Sequence, residues 1–194
     1  EVYDTFMEYT TKAYASEKSP LELSFIPIHP GDILSYGGYH FEVKLLKGHT
    51  FGQCGLYEPE KKLMFVGDQL MTTIVPIVGT QETDLGMLKC HLDSLGDLKH
   101  NYKDCYFLPC HYGEIRNVEK EVNRIILGYL EKCEIMKHVL EEAGTALTTR
   151  DIGVRTYGRS QGPPDYAHFA SCTHIWAKTF SCMEYMMGEG FVER

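Results

Sequence analysis

The chain has 194 residues, 43% hydrophobic and 24% charged, the balance of an ordinary globular protein with room for one fair-sized core. Its formal charge of −8 argues against a broad nucleic-acid or anionic-membrane surface, because such faces draw their affinity from clustered Lys and Arg. Seven cysteines without a Cys-x-x-Cys pair indicate neither a disulfide framework nor a zinc knuckle; with no apolar run near the ~18 residues of a membrane span and no basic secretory start at Glu1-Val2-Tyr3-Asp4, a cytoplasmic setting is expected.

In chain order, Val2, Phe6, Met7 or Tyr9, and Ala13 fall at helical spacing and the stretch from Ser16 to Pro20 ends them, which predicts an amphipathic helix over 2–15. Leu21 to Ile28 reads as extended and His29-Pro30-Gly31-Asp32 as a turn. Gly37-Gly38 is a hairpin signal between Ile33-Leu34 and the run Tyr39 to Leu45. In that run Tyr39, Phe41, Val43 and Leu45 alternate with His40, Glu42 and Lys44, the pattern of a half-buried antiparallel strand with His40 facing solvent. Further strands are expected around 53–58, 62–66 and 105–108.

From Asp84 to Lys99, Leu85, Leu88, Leu92, Leu95 and Leu98 recur at steps of three and four, a helix stripe with Asp84 as its cap. Asn117 opens a long helix through Glu142, with Val118, Val122, Ile125, Ile126, Tyr129, Leu130, Cys133, Met136 and Leu140 inward. Thr148-Thr149-Arg150-Asp151 starts another helix, Gly158 to Pro164 is a loop, and Tyr166 to Met187 is a last helix. Helix, loop, long helix and a Gly-Phe-Val ending beyond residue 145 resemble a degenerate winged-helix unit. Lys178 is the one basic residue between Tyr166 and Met187, so packing or a substrate lid is expected there rather than DNA contact.

The chemistry gathers at strand ends. His49 stands just beyond one alternating run and Asp68 beyond another, each preceded by a glycine, Gly48 or Gly67; His111 follows the run Cys105 to Pro109, with Gly113 two residues on. His, Asp and His at such junctions are ligands that zinc, iron or manganese accept.

Gly48-His49-Thr50 with Gly52, then Leu63-Met64-Phe65-Val66-Gly67-Asp68, then Leu108-Pro109-Cys110-His111-Tyr112-Gly113 resemble, in order and spacing, the last three metal motifs of the metallo-β-lactamase superfamily, in its β-lactamase-like-protein-2 and glyoxalase-II-like branch. The resemblance covers roughly residues 20 to 140, and the tail is similar to that branch's helical extension. The superfamily's first motif, His-x-His-x-Asp-His, is absent, since no two of the nine histidines lie two apart. The resemblance implies an α/β fold: the C-terminal half of an αββα sandwich over residues 1–142, with a helical, winged-helix-like extension over 143–194. It implies that His49 completes the first metal's histidine set, that Asp68, also the catalytic residue, bridges two metals, and that His111 binds the second. The expected cofactor is one or two zinc ions, with iron or manganese as alternatives.

Around these ligands, Cys110 reads as a small buried filler, and adjacent Cys110 and His111 on an extended segment point apart. Tyr112 stands where a second glycine is common, which makes that loop bulkier. Lys47 and Phe51 carry no assigned role. Tyr112, Glu114 and Arg116 are the substrate-contact candidates nearest the site, although capping near Asn117 explains the two charges equally well.

The resemblance implies a metal-dependent hydrolase in which a metal-activated hydroxide attacks a small ester, thioester or phosphoester. The acidic composition favours a small molecule over the RNA cleaved by a metal-dependent ribonuclease of the same fold. The alternative from another class is a non-catalytic half of the fold that serves as scaffold. Because the chain supplies mainly one sheet, an apolar face carrying Phe41, Leu56, Met64 or Phe65, and Phe107 needs a cover, expected from a homodimer partner or a complementing N-terminal segment.

Overall fold

The structure is a computed structural model that describes residues 26–78, 86–158 and 166–193, with side chains of the last segment described from residue 174. The helix expected over 2–15, most of the extended stretch from Leu21, Asp84, Leu85 and most of the loop after Gly158 lie outside the described residues. Residues 26–28, the part of that stretch that is described, form no strand.

Five strands form one sheet in sequence order: β1 (Ile33–Tyr36), β2 (Tyr39–Leu45), β3 (Cys54–Glu58), β4 (Leu63–Gly67) and β5 (Tyr106–Pro109). The hairpin at Gly37-Gly38 forms as expected. Both glycines take positive φ, 58° and 83°, as a two-residue turn matched to strand twist requires, and Tyr36 pairs with Tyr39 across it. β1 to β4 run antiparallel, whereas β4 and β5 are parallel, so the chain crosses over between them through helix α1 (Met87–Asn101).

Helix α1 starts later than the leucine spacing suggests. Its N-cap is Gly86, in the left-handed region and without a side-chain cap, in the place where the sequence reading puts Asp84. Helix α2 (Val118–Ala143) opens as expected on Asn117, whose side chain accepts from the Lys120 N–H at 2.9 Å. Its buried stripe is Val118, Val122, Ile125, Tyr129, Cys133 and Met136, and Leu130 is exposed rather than inward, because it lies one step round the helix from Tyr129 at the stripe's edge. Helix α3 (Thr149–Tyr157) is capped by Thr148, and helix α4 (Tyr166–Gly188) follows.

Cross-strand register sorts the sheet into two faces. Tyr57, Met64 and Phe107 line up across β3, β4 and β5; with Val66 and Leu46 they join a core cluster with Leu88, Leu95 and Leu98 of α1, Val122 and Ile125 of α2, Ile152 of α3 and Cys182 and Met186 of α4. The opposite face carries Val43, Leu56, Phe65 and Leu108 in one cross-strand row, none of them in that cluster. There Phe41 packs edge-on to Phe65 at 5.8 Å, and Phe65, Tyr39 and Leu45 stay exposed, Phe65 by 39%. Phe107 and Met64 therefore lie beneath the helices, not on the opposite face where the sequence reading set Phe107. The reason is parity: one residue along a strand exchanges faces.

Candidate metal centre

His49 sits in the turn that joins β2 to β3. Leu46 N–H donates to Gln53 O at 2.8 Å and Gly48 N–H to Thr50 O at 3.2 Å, folding 47–52 into a compact loop at the strand end. Gly48 has φ 147°, and a Cβ there would stand 2.5 Å from both Cβ and Nδ1 of His91. Only glycine lets this backbone press on the α1 side chain beneath it.

Asp68 follows β4 directly. Gly67 takes φ 57°, and a Cβ on it would collide with the Gln53 amide. Gln69, fully buried, then clamps the two loops together: its Oε1 accepts the His49 N–H at 3.2 Å and its Nε2 donates to Lys47 O at 3.1 Å. Ser94 Oγ of α1 donates to the same carbonyl at 2.9 Å.

His111 follows β5, where Cys110 N–H donates to Gly67 O at 3.1 Å. This loop is open. Cys110, expected as a buried filler, is exposed, because the chain has already left the sheet at Pro109. Tyr112 holds φ 69°, a conformation that strains any residue with a Cβ, and its carbonyl accepts from Thr72 Oγ1 at 3.1 Å.

The three residues meet at one carboxylate. His49 Nε2 lies 3.7 Å from Asp68 Oδ2, and His111 Nε2 lies 3.5 Å from Asp68 Oδ1. Each imidazole faces its own oxygen rather than a shared point; among the described residues no group of three or more His, Cys, Asp or Glu closes on a single ion position. Asp68 Oδ1 is buried and accepts no hydrogen bond, an anionic acceptor left open, which costs free energy unless a cation or donor reaches it. His49 Nδ1 lies 2.8 Å from Ile77 O, so it carries the proton and donates, leaving the Nε2 lone pair turned to Asp68. The donor set, the open oxygen and the fixed tautomer all fit a metal.

The remaining candidates sit apart from this contact. Glu114 and Arg116 pair with each other, Arg116 Nε to Glu114 Oε1 at 2.6 Å, on the exposed surface. Tyr112 is exposed next to His111. Lys47 Nζ lies 4.6 Å from the centroid of the Phe51 ring, a cation–π contact that gives both a place at the rim. Two residues that sequence reasoning missed are Gln69 and His91. Gln69 had one signal, its place directly after Asp68. His91 falls on the α1 stripe three residues after Leu88; it is fully buried, both ring nitrogens lack hydrogen-bond partners, and it packs edge-on to Tyr129 at 5.9 Å. Burial above all, with the neighbouring His49 imidazole as a second cause, lowers its pKa to about 3, so it is a neutral wedge under the Gly48 turn.

No family model matches the chain. Over 40 residues it is 50% identical to the hydroxyacylglutathione hydrolase GloC of Haemophilus influenzae, which is 21% of this chain and 19% of that protein. A metallo-β-lactamase family protein from Thermus thermophilus superposes with a TM-score of 0.73 at 22% identity, covering 97% of this chain and 62% of its own. A β-lactamase domain protein from Burkholderia ambifaria gives 0.75 at 17% identity, covering 97% of this chain and 54% of its own. The chain thus spans less than two thirds of the length of these relatives. Nearly all of it follows their fold.

Proposed function

We propose, for a chain whose fold is that of the metallo-β-lactamases, that it contributes the His49, Asp68 and His111 ligands to a metal-dependent hydrolase acting on a small ester, thioester or phosphoester. The observation that carries this reading is one carboxylate with its two oxygens facing the Nε2 atoms of two imidazoles, the arrangement for spanning a pair of cations. Zinc, iron and manganese all accept this donor set. Such an ion supplies Lewis acidity and brings a water's pKa down towards ~7. His49 enters pre-set, its Nδ1–H on the Ile77 carbonyl and its lone pair free. Asp68 fixes where positive charge sits. His111, whose side chain is 62% exposed against 27% for His49, marks the side from which substrate arrives, past Tyr112.

The name of the curated relative puts hydroxyacylglutathione first among test substrates. The test is metal content and metal titration of the purified chain, followed by assay against thioesters, esters and phosphoesters with and without chelator. Metal binding that is lost in His49→Ala, and hydrolysis that chelator abolishes, are expected. A chain that takes up none of the three metals at micromolar concentration sinks the reading.

A second reading, in which the chain alone is an inactive half, is favoured by the sheet face of Phe41, Leu56 and Phe65, where among the described residues Phe65, Tyr39 and Leu45 stay exposed although Val43 is buried. We propose that a second apolar layer covers it, from another copy of this chain or from additional polypeptide, because uncovered apolar area forfeits about 25 cal/mol per Å². Sedimentation of the chain and of Phe65→Glu separates the cases. A dimer that the substitution dissociates identifies another copy, and a monomer that binds the dye ANS through this face identifies missing polypeptide. A monomer that binds no such dye refutes the cover. No helix among the described residues is long and apolar enough to cross a membrane.

A further inference from the structure

Between Asp68 and α1 the chain runs without regular structure through residues 71–78, and its carbonyls need donors from elsewhere. Helices supply them. Arg124 Nη2 of α2 donates to Met71 O at 2.6 Å and to Ile74 O at 3.2 Å. Tyr129 OH of α2 donates to Pro76 O at 2.5 Å. Lys178 Nζ of α4, 103 residues away in sequence, donates to Val75 O at 3.0 Å. Two residues beyond Val75, Ile77 O accepts from His49 Nδ1. Close packing supports the same strap, since a Cβ on Gly128 of α2 would stand 3.1 Å from Val75 Cγ2.

We infer that Lys178 is a positioning residue for the candidate metal centre: by holding the Val75 carbonyl it seats the strap so that the Ile77 carbonyl fixes His49 with Nδ1 protonated and Nε2 facing Asp68. The inference rests on the metal reading of His49, but its structural half stands without any ion. A half-buried ammonium on a main-chain carbonyl is a costly way to pack a helix, and burial pushes the Lys178 pKa down; methionine would fill the same space with no charge to desolvate. What the ammonium adds is a directed hydrogen bond two residues before the carbonyl that sets the His49 tautomer. The Ile77 carbonyl is hydrogen-bonded directly to the ring, and partners in that place govern ring orientation and ligand basicity; Lys178 acts on it through the strap. Helix α4 thereby becomes part of the centre rather than an appendage to it.

The experiment compares the 194-residue chain with Lys178→Met, Lys178→Arg and Met186→Ala, the last a buried core residue of α4 that donates nothing to the strap. Two readouts are taken: the His49 tautomer in the metal-free protein from long-range 1H–15N correlation spectra, and zinc affinity by chelator competition. In the parent chain His49 is expected in a single tautomer, protonated at Nδ1. Lys178→Met should convert it to a mixture and weaken zinc by about tenfold, the lower end of the range for losing a ligand's supporting partner. Lys178→Arg should restore both in large part. Met186→Ala should lower Tm while leaving both unchanged. A tautomer and affinity unmoved in Lys178→Met, or moved equally in Met186→Ala, overturns the inference. If the parent chain takes up none of zinc, iron and manganese yet the tautomer shifts in Lys178→Met alone, the metal reading fails and the positioning role survives. Should Lys178→Met not fold, Lys178→Leu, which likewise donates nothing to the Val75 carbonyl, is read by the same two criteria.

Discussion

The two imidazoles that flank Asp68 are built to different standards. His49 rests on glycine and His91 beneath, has its N–H on buried Gln69, and has its ring on the Ile77 carbonyl of a strap that two helices hold. His111 stands on an exposed loop tied to the rest of the site by main-chain groups on either side of it, the Cys110 N–H on the Gly67 carbonyl and the Thr72 hydroxyl on the Tyr112 carbonyl. One imidazole is pre-organised, and on the proposed metal reading the other is left to be ordered on binding. The lesson is that a carboxylate with two equivalent oxygens can belong to a site with unequal halves, and that ion affinity should be dominated by the His49 half.

The carboxylate is common to both halves, so its loss is the largest effect expected. Asp68→Asn keeps the shape but replaces one anionic oxygen with an amide N–H that faces an imidazole. Metal binding should fall by more than ~100-fold, beyond the range for losing a mere partner of a ligand. Calorimetric titration checks this, and binding retained within about tenfold of the parent would remove Asp68 from the site. Next comes the footing of the rigid half. Gly48→Ala drives a Cβ to within 2.5 Å of His91 and also requires φ 147° of an alanine, a combination of overpacking and backbone strain worth about 3 kcal/mol. Denaturant unfolding should show the loss. A change under about 1 kcal/mol would mean that α1 simply moves aside, against the usual cost of overpacking.

Gln69→Ala tests the clamp. It leaves the His49 N–H without its buried acceptor, while Lys47 O keeps Ser94 Oγ. A destabilisation of about 2 kcal/mol is expected from the orphaned donor, and amide exchange at His49 should rise from protected to fast. An unchanged exchange rate would place the clamp elsewhere.

Most of the sheet and helices could be read from the sequence because they repeat: alternation gave 39–45, the Gly37-Gly38 pair gave the hairpin, and three-and-four spacing gave α1 and α2. The meeting of His49, Asp68 and His111 was legible because each follows a strand, with a glycine next to it or two residues on. What escaped had no period. Gln69 and His91 act through the interior, and the strap of 71–78 takes its conformation from donors at Arg124, Tyr129 and Lys178, which are up to 103 residues away. Local sequence holds no signal for a carbonyl whose partner comes from a later helix. Cys110 failed differently: its exposure depends on where the chain leaves the sheet, which composition does not show.

The unequal halves also rank the two histidines. Ordering the exposed His111 side chain on binding costs roughly 0.5–1.5 kcal/mol, whereas His49 is already fixed. His49→Ala should therefore weaken metal binding by about ten times more than His111→Ala does, since about 1.4 kcal/mol is a factor of ten. Equal losses, measured by the same competition titration, would mean that the loop after β5 is as rigid as the turn after β2.

The smallest effect expected lies at Tyr112, and its sign is the informative part. A tyrosine at φ 69° carries ~1–2 kcal/mol of strain that glycine does not, while glycine at the same place gives up ~0.5–1 kcal/mol in the entropy of the unfolded chain. Tyr112→Gly should therefore stabilise the fold by only about 0.5 kcal/mol, seen as a small rise in Tm. The same substitution removes the ring that lies 6.1 Å from the His111 ring centroid, and with it the side-chain contact on His111, while the main-chain ties of the loop remain. Metal affinity should then fall slightly as thermal stability rises. That opposition is the signature of a loop that uses backbone strain to hold a ligand, and a parallel rise in both quantities would show instead that Tyr112 hinders His111.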